Sequence, residues 1–192
     1  MQPIIQLADN NVEFLGLYSF PSHLMILVVL VVAATVVDIR AHRIPNWLVG
    51  TGVVIAVVYH VFSPFGQGAT FTLAGLIVGM ATLMPLYVLR TMGAGDVKLM
   101  GMIGAFVGTA AVVNVVLATM VAGGIFALVA AVYKHALPQL LGNLRTMLIQ
   151  RDIRRMKGAG SEAMQARPSV GKLPYAVAIA SGTAFQIFIL RA

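Results

Sequence analysis

Long apolar runs alternate with short polar breaks along most of this chain. An α-helix rises ~1.5 Å per residue, so about 20 apolar residues cross the hydrocarbon core of a bilayer. Three runs in the first half suit that length. They predict membrane-spanning helices over Pro21–Val37, from Pro45 to about Phe62, and over Ala69–Leu89. Pro45 suits the start of a helix because its missing N–H would find no partner there.

The second half of the chain predicts three further spans. The run Val97–Tyr133 is too long for one crossing, and we divide it near Gly108-Thr109, which gives a short fourth span and a long fifth. Leu173–Leu190 is the sixth. Between the fifth and sixth spans, residues 134–172 carry apolar positions at helical spacing among many basic ones. This pattern predicts an amphipathic helix lying on anionic lipid.

The composition agrees with a membrane protein. Apolar residues make up 59% of the chain, charged residues 10%, and the mean hydropathy is +0.92. Soluble domains carry about 25% charged residues. We therefore predict an all-α polytopic bundle of about six transmembrane helices, forming one membrane-embedded domain over residues 1–192. Residues 1–20 mix apolar and polar side chains and predict a short helix at the membrane interface.

Basic residues are concentrated on one side of the predicted bundle. Of the 13 Lys and Arg residues, all except Arg191 fall in the three connections on that side or at the span ends beside them. The positive-inside rule makes this side cytoplasmic. Both termini, including the segment 1–20, are then extracytoplasmic, and residues 134–172 form a basic cytoplasmic loop. This distribution indicates lipid headgroups, and not nucleic acid, as the partner of the basic residues.

Two acidic residues, Asp38 and Asp96, lie directly against apolar runs. Asp38 closes the first span and Asp96 opens the fourth, so the predicted topology places both at one membrane surface. A charged side chain within the bilayer costs roughly 2.5–3.5 kcal/mol, and such acids usually have a partner or a role. Two carboxyls that share a proton can activate water and protonate a scissile carbonyl, which is the chemistry of peptide hydrolysis.

Simpler interpretations of the same residues stay open. Asp96 could cap the helix that follows it, and Asp38 could be a solvated residue at a span end. Gly93 and Gly95 would let the backbone turn sharply beside an extended peptide, or they could form a plain loop. A non-enzymatic transporter or an assembly subunit could use the two acids for ion coupling. The four histidines lie in different segments and the chain has no cysteine, so we predict no metal site and no cofactor.

Three motifs resemble those of the type IV prepilin peptidases. Gly93-Ala94-Gly95-Asp96 is similar to their Gly-x-Gly-Asp signature, which presenilin-like intramembrane proteases share. Asp38, followed six residues later by Ile44-Pro45-Asn46, is similar to their first-aspartate motif. Pro174-Tyr175 is similar to the Pro-Tyr pair that opens their last span. The motifs occur in order and extend over nearly the whole chain.

The resemblance implies an aspartic endopeptidase of the bacterial or archaeal inner membrane, which removes the basic leader of prepilins or pseudopilins at the cytoplasmic face. Asp38 and Asp96 carry over as the catalytic pair. The residues that carry over as motif or substrate-positioning residues are Ile44, Pro45, Asn46, Gly93, Gly95, Lys98, Pro174 and Tyr175. The implied partners are prepilins of type II secretion or Tad/Flp pili and membrane lipids; a homo-oligomer is left open.

The chain departs from the larger members of that family in one respect. Those members carry a further cytoplasmic domain with a cysteine-based zinc site, and they N-methylate the new pilin terminus with S-adenosylmethionine. This chain has no cysteine and only six residues between Asp38 and Pro45. It therefore resembles the short, Cpa/Tad-like form, which puts N-methyltransferase activity in doubt for this chain.

Overall fold

The computed structural model describes residues 5–8, 11–14, 18–133 and 175–190. The predicted amphipathic helix and basic loop at residues 134–172 lie outside the described residues, and so does Pro174. The chain divides into two compact units, one formed by Met1–Gly123 with Pro174–Ala192 and the other by Gly124–Leu173. All packing described below belongs to the first unit.

Helices dominate the described part of the chain. They are α1 (Ser22–Ala41), α2 (Asn46–Phe62), α3 (Ala69–Val88), α4 (Ala94–Tyr133) and α5 (Tyr175–Phe185), which continues as a π-helical segment over Gln186–Leu190. Three stretches are long and apolar enough to cross a membrane: Ser22–Ala41, Ala69–Val88 and Ala94–Ala130; α2 and Tyr175–Ile189 are shorter apolar helices. The prediction of an apolar, polytopic helix bundle is thus confirmed, while the number of six crossings stays a prediction.

Three short strands precede α1. They are β1 (Ile5–Ala8), β2 (Asn11–Phe14) and β3 (Tyr18–Pro21), and they pair antiparallel in the order β1-β2-β3. The interfacial helix predicted within residues 1–20 is therefore wrong where these strands lie, and the fold is not all-α throughout. The sequence does carry the signal: apolar Ile5 and Leu7, then Val12 and Phe14, recur with a period of two.

Helix α4 is interrupted at Gly108. Its φ of 80° and ψ of −178° are non-helical, and a side chain there would also collide with the ring of Phe71. Glycine adopts this conformation readily because it has no Cβ. Residues 94–107 and 109–133 are consequently two helical segments, which confirms the division predicted near Gly108-Thr109. Gly123 packs against Tyr175, which is in electrostatic range of Asp96, so residues 109–123 return to the end at which α4 began.

The first segment of α4 packs closely on α3. A Cβ added to Gly75 would collide with the carbonyl oxygen of Gly104, and a Cβ added to Gly104 would collide with that of Gly75. Such contact between small residues brings two helix backbones together without a solvent-driven hydrophobic term. Around this contact lies the buried core, whose largest side chains include Leu27, Leu83, Leu99, Met100, Phe106 and Ile179.

The outer surface of the bundle is also apolar. Val29, Val54, Ile77 and Leu117 lie on four different helices, and each is more than half exposed. In water an apolar surface of this extent would be unfavourable, whereas acyl chains solvate it. Hydroxyl side chains within the helices bond their own backbone: Thr35 donates to the carbonyl of Val31 at 2.8 Å. The bundle therefore suits a lipid environment both inside and outside.

Candidate active site

Asp38 lies in the last turn of α1. The helix ends where His42 adopts a left-handed conformation (φ 48°) and donates its N–H to the Asp38 carbonyl at 2.8 Å. Asp38 is only 8% exposed, so it is not a solvated residue at a span end. Its Oδ2 accepts the N–H of Ala176 at 3.4 Å. Because N–H groups in the first turn of a helix lack intrahelical partners, this bond ties the end of α1 to the start of α5.

Asp96 lies in the first turn of α4. Its Oδ2 accepts the N–H of Gly93 at 3.1 Å, and its own N–H donates to the Gly93 carbonyl at 3.2 Å. This arrangement resembles half of a capping box, in which an acid in the first turn satisfies the N–H of the residue before the helix. Asp96 therefore does cap its helix, but from the first turn and not from the N-cap position. Capping of this kind uses one carboxyl oxygen and does not exclude a second role for the other.

The two carboxyls lie at the same end of the bundle. Negative charge on Asp38 acts on Asp96, which places the two groups in electrostatic range of each other. Asp96 is 9% exposed, and among the side chains that the structure describes these two are the buried acids. Three helix ends meet here: the C-terminus of α1 and the N-termini of α4 and α5. Two acids that are far apart in the sequence thus form one buried pair.

The loop between α1 and α2 packs against the start of α4. Pro45 precedes the first residue of α2, and its carbonyl accepts the N–H of Leu48 at 3.2 Å. Ile44 covers Gly95 so closely that a Cβ on that glycine would lie 3.2 Å from the Ile44 Cβ. Asn46 Oδ1 accepts a hydrogen bond from Lys98 Nζ at 3.0 Å. The Ile-Pro-Asn and Gly-x-Gly-Asp motifs are therefore in direct contact, and Lys98 bonds the side chain of the first residue of α2.

Tyr175 brings the third motif to the same place. It opens α5 one residue before Ala176, and its phenol is in electrostatic range of Asp96. The ring packs over Gly123, so that a Cβ there would lie 3.1 Å from the phenol oxygen. Of the predicted motif residues, the structure thus places Ile44, Pro45, Asn46, Gly93, Gly95, Lys98 and Tyr175 at the end of the bundle that carries the two carboxyls. The remaining one, Pro174, lies outside the described residues.

Thr35 is a contact of this site that the sequence did not reveal. Its hydroxyl lies 3.4 Å from the carbonyl of Ala176, the same residue whose N–H bonds Asp38. Thr35 and Asp38 lie three residues apart and so project from the same side of α1. The sequence shows only that a hydroxyl lies one helical turn before Asp38. It does not show the contact with Ala176, which is 141 residues away in the chain. Only the folded bundle shows this contact.

The described residues contain no group of three or more metal-binding side chains. Two of the histidines, however, lie close together in the fold. They seemed scattered among different segments, yet the rings of His23 and His60 lie 5.5 Å apart between centroids, far along α1 and α2 from the carboxyl pair. Both nitrogens of His60 face protein groups, the N–H of Gln67 and the carbonyl of Phe106.

The fold and the site define a class: a helical membrane protein with two buried carboxyls at the meeting point of three helix ends. Residues 25–128 match the type IV leader peptidase family, and the chain belongs to this family. The match includes the motifs around Asp38 and Asp96 and shows a protease of the leader-peptidase type. Neither the curated proteins nor the solved structures give a match to this chain. The membership confirms the resemblance drawn from the three motifs.

Proposed function

We propose that this chain is a membrane aspartic endopeptidase that removes the N-terminal leader of type IV prepilins or pseudopilins. The observation that carries the proposal is the buried pair formed by Asp38 and Asp96, each within a separate motif. Membership of the type IV leader peptidase family supports the reaction class. Catalysis by the aspartates, and prepilins as substrates, are the further steps of this proposal.

The chemistry follows from two acids in electrostatic range. The charge of Asp38 acts on Asp96, and the proposed mechanism requires the two acids to hold one proton between them. The ionised carboxylate takes a proton from water as the water attacks the scissile carbonyl. The protonated carboxyl donates its proton to the carbonyl oxygen. When the C–N bond breaks, the leaving amine receives a proton. Both roles belong to the pair, and neither residue is assigned one of them.

The substrate fits the position of the pair at one end of the bundle. A prepilin has a basic leader followed by an apolar helix, and that helix would lie in the bilayer beside the apolar helices of the enzyme. Its junction with the leader would then meet the exposed loop of Gly93 and the edge of Gly95. The basic residues near the pair serve orientation and lipid binding, since they would repel a basic leader.

The positive-inside rule makes this end cytoplasmic, in a bacterial inner membrane, with both chain termini on the other side. Prepilins and lipids are the proposed partners, and neither a nucleic acid nor a cofactor is needed for the reaction. The short Cpa/Tad-like form also leads us to propose cleavage without methylation. Adding S-adenosylmethionine to a cleavage reaction is expected to leave the mass of the product unchanged.

Cleavage of a purified prepilin by the purified protein in liposomes tests the proposal. Mass spectrometry should show the loss of the leader. Asp38→Asn and Asp96→Asn should each lower kcat by at least about 100-fold, because general acid–base catalysis contributes on that order. Glu13→Gln, which removes a carboxylate in β2, is the matched control and should cleave as the native chain does.

Full activity in either Asn variant would contradict the carboxyl pair as the catalyst. If the native chain cleaved none of several prepilins, the result would favour the non-enzymatic alternative, in which the two acids couple to ion movement.

A further inference from the structure

A cavity of about 680 Å³ opens at the end of the bundle opposite Asp38 and Asp96. The direction of the helices gives its position: α1 begins beside it at His23, and α2 ends beside it at His60. Its polar lining consists of His23, His60, Gln67, Thr109, Asn114 and Gln186. The described lining includes no charged side chain. Cavities that hold small molecules are about 300–1,000 Å³, so this one has ample room for several waters.

Among the residues that line this cavity, two carry a buried polar atom to which no described residue forms a hydrogen bond. Gln186 is only 3% exposed, and its Oε1 accepts no hydrogen bond from the described residues. His23 Nδ1 is likewise buried and unpartnered, although the ring stacks on Tyr59 with 4.6 Å between centroids. Buried polar atoms in native proteins nearly always have a protein or water partner. Both atoms are closed off from the open space of the cavity, so they show that its wall is polar but do not themselves contact what fills it.

His60 forms hydrogen bonds through both ring nitrogens beside the cavity, one of them close to the break in α4. The N–H of Gln67 donates to His60 Nδ1 at 3.3 Å, so the ring proton is on Nε2. That nitrogen faces the carbonyl of Phe106 at 3.1 Å, two residues before the break at Gly108. His60 thus supplies a donor to a carbonyl in the last turn of the segment 94–107, where helical carbonyls lack a partner within the helix. Because both of its nitrogens are used, a metal ion is not the occupant that this lining suits.

The position of the break identifies the occupant. Val107, Thr109 and Ala110 flank Gly108 and line the cavity. Irregular backbone at membrane depth is tolerated only where protein buries it or where it lines a water-filled space. We propose that this cavity is a hydrated pocket that binds ordered water and small neutral polar solutes, which enter from the membrane face opposite the carboxyl pair. Its water solvates the backbone beside Gly108 and the polar side chains of Thr109 and Asn114.

The pocket explains how the helical segment 94–107 can end before it has crossed the whole hydrocarbon core. Residues 94–107 extend ~21 Å at ~1.5 Å per residue, whereas the hydrocarbon core is about 30 Å thick. A segment that starts at one membrane surface and ends at the bottom of a water-filled pocket need not cross the remaining part of the hydrocarbon core. The pocket lies in the part of the bundle remote from the carboxyls and does not depend on the reaction that they carry out.

The absence of cysteine from the chain makes the test direct, because a single introduced thiol is then the only one present. Asn114→Cys places the thiol on the pocket wall, and Val113→Cys places it at the same depth on the outer face, where Val113 is 39% exposed. The full chain in sealed liposomes is treated from one side or the other with a charged, membrane-impermeant methanethiosulfonate. Arg43→Cys, in the exposed loop beside Asp38, marks the opposite side.

We expect Asn114→Cys to react at least about tenfold faster than Val113→Cys, because the reactive thiolate forms in water and not in lipid. The reaction should occur from the side on which Arg43→Cys is not modified. Ala111→Cys, a smaller change on the same wall, should behave like Asn114→Cys. Each variant is first shown to elute as the native chain does in gel filtration. Equal rates at positions 111, 113 and 114, or modification from the Arg43 side, would overturn the hydrated pocket.

Discussion

Each carboxyl group of the pair bonds a backbone N–H at the start of a helix. Asp38 reaches across the bundle to Ala176, whereas Asp96 bonds Gly93 just before its own helix. The position of Asp38 therefore depends on the docking of α5, and the position of Asp96 depends on the local turn. A change that loosens the start of α5 should disturb Asp38 first.

Thr35→Val provides such a change, because it removes the hydroxyl that lies 3.4 Å from the Ala176 carbonyl. The side chain keeps its shape and volume. The hydroxyl has one proton, which lies nearer the Val31 carbonyl at 2.8 Å, so the bond to Ala176 is shared and weak. A typical intramolecular hydrogen bond contributes about 0.5–1.5 kcal/mol, and at the low end of this range we expect kcat for leader cleavage to fall by about 2-fold. KM should change little if Thr35 acts by positioning Asp38 and does not touch the substrate.

Two variants serve as controls for this measurement. Thr35→Ser keeps the hydroxyl and should restore most of the activity. Thr51→Val removes a hydroxyl that bonds only its own helix, at the Trp47 carbonyl, and should leave kcat unchanged. Equal losses in Thr35→Val and Thr51→Val would show a general effect on helix stability and would exclude a positioning role.

At the scale of elements, the division of α4 decides how the site is built. Residues 94–107 bring Asp96 to the carboxyl pair, and the segment after Gly108 returns to pack on Tyr175. The break thus lets one continuous run of apolar residues supply two neighbouring helices. Its geometry rests on the left-handed φ of Gly108 and on the ring of Phe71.

Gly108→Ala should therefore destabilise the bundle. A Cβ at this φ is strained and would also displace Phe71, and a strained backbone position contributes on the order of 1–3 kcal/mol. Gly50→Ala is the matched control, because a Cβ there meets no atom within 4 Å and alanine is the better helix former. Unfolding in detergent should show a lower midpoint for Gly108→Ala only. An unchanged midpoint would mean that the backbone at this glycine is not held in the observed conformation.

The elements that the sequence predicted well are those with long apolar runs. The bounds of α2 and α3 follow directly from run length and from Pro45, and the break at Gly108 follows from a run too long for one crossing. Helix α1 continues to Ala41, four residues beyond the predicted end at Val37, because the polar residues after Val37 still form a helical turn. The strands were missed because only two alternations each mark β1 and β2, and a short mixed segment also suits a helix. Apart from Pro174, which lies outside the described residues, the motif residues lie at the end of the bundle that carries the carboxyls. Contacts such as those of Thr35 with Ala176, or Lys98 with Asn46, depend on helix packing that a single sequence does not specify.

For the whole molecule, the remaining prediction is orientation in the membrane. In the described chain, Arg40, Arg43, Arg90 and Lys98 all lie near the helix ends that carry the carboxyl pair. Basic residues near span ends remain cytoplasmic. This end should accordingly face the cytoplasm, and the connection between α2 and α3 should face outward.

Reporter fusions after residues 66, 150 and 192 test this orientation together with the reversal at Gly108. Alkaline phosphatase, which is active only outside the cytoplasm, should be active after 66 and 192 and inactive after 150. Green fluorescent protein, which is fluorescent only inside, should give the opposite pattern. If the run 97–133 crossed the membrane once, residue 150 would lie on the same side as residue 66. Phosphatase activity after 150 would then contradict the return of the segment after Gly108, and with it the predicted placement of Asp96 and the basic loop on one face.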